Sequence, residues 1–525
     1  MKVLISDNIS QKCIDILKDA GLAVDIKVGM KPEELRASIG EYHGLVIRSA
    51  TKVTSEIIDA AKNLKVIGRA GSGLDNVDKV AATKKGIVVM NTPGGNTITT
   101  AEHTIAHIVS LARLIPQATS SMKAGKWEKK KFMGVELFNK TLGVVGIGNI
   151  GSQVAKRMQA FGMNVIAYDP FLSEDTANTM GVEKVNIKDL FKRSDFLTIH
   201  TPLTPETKYL INKKSIRIMK DGVRIINCAR GGIINETDLY DAIVLGKVAG
   251  AALDVFEKEP PENNPLLSLD NVICTPHLGA STKEAQENVA VAVAEQIVDY
   301  LIHGTIRHAV NFPSIPADQV ARLQPYINLA EKLGGFAAQM FEGGVTEITI
   351  EYRADAAQIN TAPVTIAAIK GFLNPILLET VNFVNAPVIA KERGIEVKET
   401  KSTDEGDYQS MIALRVKAKG KESYVAGALF SKKDPRIVYI DDFKVEIVPE
   451  GELLLLYNND KPGVIGNIGT LLGKNHINIA RMHFGRERQG GMAISVVSID
   501  AHASPQIIDQ IKKLPNILSV KQISL

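Results

Sequence analysis

The stretch LGVVGIGNIGSQVAKRMQAFGMNVIAYD, residues 142–169, runs from an apolar strand through a glycine turn and an amphipathic helix into a second strand that closes on an acid. Within it, Gly146-Ile147-Gly148-Asn149-Ile150-Gly151 fits the spacing GxGxxG. The match gains its meaning from the strand before it, the helix after it and the acid beyond. The glycines permit a tight turn, close approach of backbone to a pyrophosphate, and packing of helix on strand. The helix N-terminus offers free N–H groups and the positive end of the helix dipole to the phosphates. Asp169, eighteen residues after Gly151, can accept hydrogen bonds from ribose hydroxyls. Its charge would repel the extra phosphate of NADP, and Pro170 and Phe171, which follow, bring no compensating Arg. The stretch points to NAD.

The same alternation of strand and helix extends in both directions. Downstream, apolar segments at 196–201, 224–230, 250–256 and 272–276 read as further strands. Upstream, 3–6, 45–48, 65–71 and 87–91 do the same, with amphipathic helices between them. Such alternation predicts parallel sheets with crossover helices, hence an α/β fold with two doubly wound domains. The turn cluster NTPGGNT (91–97) separates the two regions. A long helix from about Ser281 to Gly304 can return the chain to the first region, making that domain discontinuous. The division expected is 1–96 with 284–310, then 97–283 for the nucleotide.

Residues 316–448 show a mixed pattern without a catalytic motif, and are read as a separate α+β domain. Residues 452–525 read strand, helix, strand, strand, helix, strand, a ferredoxin-like βαββαβ order. This last unit contains a second IGNIG, at 465–469. Here the glycines are Gly463, Gly466 and Gly469, the GxG start is missing, and no acid closes the next strand. Glycines at this spacing fall near one helix face and permit close helix contact, so the second copy is read as packing rather than nucleotide binding.

A chain of 525 residues is too long for one core, which agrees with several domains. A net charge of +4 without a basic tail argues against nucleic acid as a partner. Asp7 interrupts any signal-peptide core, and no apolar run reaches the length of a membrane span. Cys13, Cys228 and Cys274 are scattered, with no CxxC and no adjacent His–Cys group. That pattern suggests reduced thiols in the cytoplasm and indicates neither a disulfide framework nor a metal site.

Three loops lie at predicted C-terminal ends of strands, where open α/β sheets bind ligands. They carry Arg230, Glu259 and His277. Taking a hydride from an alcohol needs a base for the hydroxyl proton, and histidine titrates in the working range. A carboxylate beside it orients the ring and favours imidazolium. An arginine suits the bidentate recognition of a substrate carboxylate.

The segments GRAGSGLDNVD (68–78), GIGNIG, NCARGG (227–232), GAALDVFEKEP and TPHLGAST (275–282) resemble the D-isomer-specific 2-hydroxyacid dehydrogenases. VIRSATKVT (46–54), NTPGGNTITTAEHT (91–104) and WEKKKFMG (127–134) extend the resemblance toward the long branch that oxidises 3-phosphoglycerate. The resemblance implies that Arg230 binds the substrate carboxylate, that Glu259 partners the histidine and that His277 is the acid/base. It implies NAD contacts at Ser72, Asn149, Ile150, Asp169, Thr201, Cys228, Ala229, Asp254, Gly279 and Ala280. It assigns Arg48, Arg69 and Asn96 to the substrate phosphate, with Lys129 supplied by a neighbouring subunit. The Lys129–Lys131 run also reads as a solvated charged loop. Residues 316–448 look like the intervening domain of the long forms, and 452–525 like an ACT regulatory domain. Relatives bind L-serine between two such modules, which maps to Asn458, Asp460 and Asn478. Asn458 stands where some serine-inhibited relatives carry His, and a dimerisation module without a ligand is the alternative. A homodimer or homotetramer is expected.

Two other functions fit part of this pattern. One is a hydroxypyruvate or glyoxylate reductase, against which Arg48, Arg69 and the two C-terminal domains speak. The other is an NAD-sensing corepressor, which would lack the ACT module. A side activity on 2-oxoglutarate is compatible with the same residues.

Overall fold

The computed structural model describes residues 1–313, 317–341, 343–377, 381–404, 406–418 and 420–525. The start expected for the third domain, residue 316, lies outside the described residues.

The first sheet has five parallel strands, in the order Ala23–Ile26, Lys2–Ile5, Gly44–Ile47, Val66–Arg69 and Val88–Asn91. The Ala23–Ile26 strand was not anticipated. It is a half-exposed edge of four residues, too short for its pattern to stand out. The second sheet has seven parallel strands. Their order is Val272–Cys274, Val248–Leu253, Val223–Asn227, Phe196–Ile199, Thr141–Val145, Asn164–Tyr168 and Glu183–Lys184. The order reverses between Thr141–Val145 and Phe196–Ile199, and a crevice opens at such a switch point. The glycine turn follows the first of these two strands directly.

The Lys283–His303 helix packs on the first sheet, not the second. Val289, Val293, Ile297 and Leu301 share a core with Val3, Ile5, Val46 and Val66. Gly68 makes room for it: a Cβ there would lie 2.6 Å from a Val293 methyl. Thr282 caps the helix, its side chain accepting from Ala285 N.

The third unit is a six-stranded sheet, antiparallel except where Glu347–Ala354 pairs with Glu396–Ser402. Two helices, Ala317–Met340 and Ala362–Leu373, cover one face. They cross at glycines: a Cβ on Gly334 would lie 2.1 Å from Ala368 O, and one on Gly371 2.0 Å from Glu331 O. The unit docks on the first domain, with Val384 entering that core, Asn382 Nδ2 donating to Gly86 O at 2.8 Å, and Lys84 pairing with Glu392 at 2.7 Å.

The C-terminal sheet is antiparallel, ordered Ile479–Arg486, Met492–Ile499, Glu452–Asn459 and Ile517–Ser524. Its central strand contains an unbroken run, Leu453–Leu456, where a one-faced strand would alternate. Leu454 and Leu456 face the unit's own helices, packing on Val464, Ile468 and Leu472. Leu453 and Leu455 face the third unit and share its core with Leu333, Phe336 and Ile447. Gln339 reinforces the junction, bonding Ser524 N and O, each at 3.0 Å. Among the described residues no helix is long and apolar enough to cross a membrane.

Candidate active site

The nucleotide turn has the geometry its residues require. Gly146 has φ +87°, and a Cβ there would approach His200 O to 2.7 Å. A Cβ on Gly151 would lie 2.1 Å from Gly146 O, so only glycine lets the helix start so close to the strand. Gly148 is different: nothing lies within 4 Å of a Cβ built there. Its missing side chain leaves open space at the start of the Asn149–Ala160 helix. Asp169 closes the turn, accepting from Ile147 N at 3.0 Å and Phe171 N at 2.8 Å. Thr201 Oγ1 is buried at the same switch point without a hydrogen-bond partner. An open cradle, a helix N-terminus and an orphaned hydroxyl fit a dinucleotide.

His277 sits in the loop after Val272–Cys274, exposed, with φ +55°. Its Nδ1 is 2.8 Å from Glu259 Oε2. That hydrogen bond is the main reason the imidazole pKa is raised; burial and Arg230 work against it. For Glu259, burial pushes the pKa upward, but the bond and charge of His277 outweigh it and the carboxyl is held below its ordinary value. Arg230 follows the Val223–Asn227 strand and reaches across to the first domain. Its Nε donates to Asp75 Oδ2 at 3.0 Å and its Nη1 to Ala229 O at 2.7 Å. Its Nη2 occupies the space that a Cβ on Gly73 would need, 2.2 Å away.

Arg48 and Arg69 end adjacent strands of the first sheet. Arg69 folds over Gly71, and its buried Nε has no partner. Burial, then the charges of Arg230 and Arg48, pull its pKa down to about 10, with Asp75 and Asp7 opposing. Arg48 donates to Asn8 O at 3.2 Å, and Asn96 Oδ1 accepts from Ser72 Oγ at 2.8 Å. Lys129 is not brought to this cluster by its own chain. It lies exposed in the Lys129–Phe132 turn and pairs with none of the described residues. That turn belongs to an arm whose helix, Ile115–Lys123, buries no residue, and which exposes Met122, Trp127 (80%), Met133 and Phe138.

Behind the His277 loop the fold gathers residues that their spacing along the chain does not connect. His103 and His107, one turn apart on the Thr97–Arg113 helix, meet Cys228, Asp254 and Thr275. The imidazoles are edge to face, with Nε2 atoms 3.0 Å apart. His107 is pulled down to about 4, first by burial and then by His103, and Cys228 is pushed up to about 12 by burial. His103, His107 and Cys228 are also within metal-ligand reach of one another, an assembly the scattered cysteines did not suggest. The His103-x-x-x-His107 spacing in a helix was the available signal.

In the C-terminal unit Asn458 is buried, accepting from Ser495 Oγ at 2.8 Å. Asp460, just beyond it, accepts from Gly490 N at 3.0 Å and Arg486 at 3.3 Å. Asn478 is not brought to them. Pairing aligns Asn458 with Ala493 but Glu452 with Ile499, and Asn478 donates to Asp500 at the latter end, 2.7 Å away. Gly463, with φ +94°, starts the Val464–Lys474 helix. No other part of the described chain lies against Gly466 or Gly469, so the close helix contact expected of this stripe is not made within one chain.

Comparison with known proteins gives three domain matches. The NAD-binding domain of the D-isomer-specific 2-hydroxyacid dehydrogenases matches residues 105–279, the D-3-phosphoglycerate dehydrogenase intervening domain 322–441, and the ACT domain 453–516. The chain is 48% identical over 528 residues to D-3-phosphoglycerate dehydrogenase of Archaeoglobus fulgidus, covering 100% of each. It is 43% identical to that of Bacillus subtilis, covering 100% of this chain and 99% of the relative. The human D-3-phosphoglycerate dehydrogenase is 46% identical over 399 residues, 75% of this chain and 74% of that one. Among solved structures, D-lactate dehydrogenase from Aquifex aeolicus, complexed with NAD and lactic acid, superposes with a TM-score of 0.53 at 29% identity, covering 60% of this chain and 100% of that chain. A glyoxylate reductase from Paecilomyces thermophila gives a TM-score of 0.55 at 29% identity, over 59% and 98%.

Proposed function

The chain belongs to the D-isomer-specific 2-hydroxyacid dehydrogenase family, in its D-3-phosphoglycerate dehydrogenase branch, and from that premise we propose how its residues carry the reaction. It oxidises D-3-phosphoglycerate to 3-phosphohydroxypyruvate with NAD, the first step of the phosphorylated route to L-serine. NAD, when bound, would supply the acceptor for the C2 hydride. The Gly146–Gly151 turn, Asp169 and Thr201 would hold it. Glu259 occupies Nδ1 of His277, which leaves Nε2 to take the C2 hydroxyl proton. Arg230 holds the carboxylate, and Arg48, Arg69 and Asn96 hold the phosphate.

The observation that carries the substrate assignment is Arg69. A half-buried guanidinium whose buried Nε has no partner, beside two further arginines, is costly unless an anion joins it. An unphosphorylated hydroxyacid would use Arg230 and leave Arg69 unmatched. An NAD-coupled assay comparing 3-phosphoglycerate with glycerate tests this. Arg69→Met is expected to lower kcat/KM for 3-phosphoglycerate about 10–100-fold, the scale of one hydrogen bond to a charged group, and to leave glycerate almost unaffected. Equal wild-type rates on both substrates would favour a hydroxypyruvate or glyoxylate reductase; no turnover on either would favour the corepressor.

The ACT domain supports regulation by a bound effector, and L-serine is the one we propose. Asn478 lies at the far end of the sheet from Asn458 and Asp460, so a shared site requires Asn478 of a second copy. The exposed apolar arm at 115–138 and the unpaired Lys129 on it also suit a second copy. The proposed assembly is a homodimer or homotetramer. Adding L-serine to the same assay tests the effector: unchanged rates at saturating serine would leave the ACT unit a dimerisation module. The cytoplasm is the proposed compartment, on the strength of three free cysteines.

A further inference from the structure

The turn that carries His277 hangs on one buried carboxylate. Asp254 is 1% exposed. Its main-chain oxygen accepts from His277 N at 2.9 Å, its Oδ1 from Leu278 N at 2.7 Å, and its Oδ2 from Gly279 N at 2.8 Å. His277 itself has φ +55°, a conformation that a residue with a Cβ keeps only when its surroundings hold it. Among the described residues, no Lys or Arg pairs with Asp254. The remaining donors to its Oδ1 are Thr275 Oγ1 at 2.6 Å and His103 Nε2 at 3.1 Å.

The proton inventory of this knot is constrained. Asp254, ionised, only accepts. The single Thr275 hydroxyl hydrogen goes to it. The Nε2 atoms of His103 and His107, 3.0 Å apart, cannot both carry hydrogens toward each other. Because ionised Asp254 only accepts, His103 bears the Nε2 hydrogen that reaches it, and the free lone pairs of Thr275 Oγ1, 3.0 Å away, are left to accept from His107 Nε2. The titratable groups facing Asp254 are His103 and His107 on the helix, Cys228 at its strand end, and Glu259 and His277 in the loops. Of these, His103 is the group that donates a side-chain hydrogen bond to its carboxylate.

We propose that His103 positions the catalytic histidine at one remove: its hydrogen bond fixes the orientation of the Asp254 carboxylate, and that carboxylate holds the 275–279 turn that presents His277. This rests on the reading of His277 as acid/base. Burial opposes the charge on Asp254, and the bond from His103 leads the contacts that bring its pKa below the ordinary value.

The test compares His103→Leu and His103→Gln with the wild type in steady-state oxidation of 3-phosphoglycerate across pH, with NADH binding and thermal melting alongside. Gln can place an N–H near the Nε2 position; Leu cannot. His103→Leu is expected to lose about 10–100-fold in kcat, the scale of removing an outer partner of an active group. Its acidic limb, set by His277, should stay in place, because Asp254 titrates well below it. His103→Gln should restore kcat, and NADH binding should persist in both variants. Wild-type kcat in His103→Leu, or equal loss in both variants, overturns the proposal. Should His103→Leu fail to fold, His103→Asn, too short to reach the Nε2 position, is expected to show the same loss beside an active His103→Gln; equal kcat in the two overturns the proposal again. Near-normal turnover in His277→Ala would instead remove the acid/base reading on which it rests.

Discussion

His277→Ala is expected to cut turnover about 10²–10⁴-fold, the range for a positioned general base, while NADH still binds. The separation follows from the geometry. The dinucleotide features lie on the Gly146–Gly151 turn and at Thr201, whereas His277 projects from a different loop and is held by Glu259 at 2.8 Å. Stopped-flow NADH binding with steady-state turnover checks both halves. The pH dependence has a definite sign. Oxidation needs neutral His277, whose pKa lies above the ordinary histidine value, so the oxidation rate should rise as pH climbs through that raised pKa. Reduction needs the imidazolium and should fall over the same window. Glu259→Gln removes the largest cause of the elevation and should move both transitions to lower pH. Transitions that stay in place would detach Glu259 from the histidine.

Arg230→Lys is the second large effect, about 10²-fold or more in kcat/KM, from lost orientation of the substrate carboxylate. Charge is preserved in this variant, so the loss measures geometry. Arg230 does several things at once: Nε engages Asp75, Nη1 engages Ala229 O, and Nη2 lies where Gly73 leaves room. An ammonium is a single point on a flexible stem and cannot keep the Asp75 contact while presenting a fork to a carboxylate. Saturation kinetics with 3-phosphoglycerate at fixed NAD would decide; a lysine variant with wild-type kcat/KM would exclude bidentate recognition by this residue.

Much of this architecture could be read from the chain, because its parts carry local signatures. Gly146 to Asp169 spells strand, turn, helix and acid within one continuous stretch, and each piece is tied to its neighbours by short-range geometry. The Ala23–Ile26 and Glu183–Lys184 strands have no such signature. Both are short sheet edges, defined by a partner strand rather than by their own pattern. Arg230, Glu259 and His277 each stand out singly as candidates through their position after strands, but the Arg230–Asp75 contact spans 155 residues and belongs to the fold alone. The His103–His107–Asp254 knot escaped for the same reason: two of its members share a helix face and the third arrives from another domain layer. The repeated IGNIG shows the opposite hazard. The letters agree, yet Gly151 is jammed against Gly146 O while Gly469 has open surroundings, a difference set by the flanking strands.

The Leu453–Leu456 run has a mechanical meaning. Its two faces are sealed in different cores, so the strand is shared property of both C-terminal units, and neither can slide on the other without exposing leucine. The described residues of the two C-terminal units are thereby tied into one body. One end is the plug of Asn382, Val384 and Glu392 seated on the Gly86 rim of the first domain; the other carries Asp460. A movement at the Asp460 end would therefore have to carry the third unit with it, because the shared strand leaves no hinge between them.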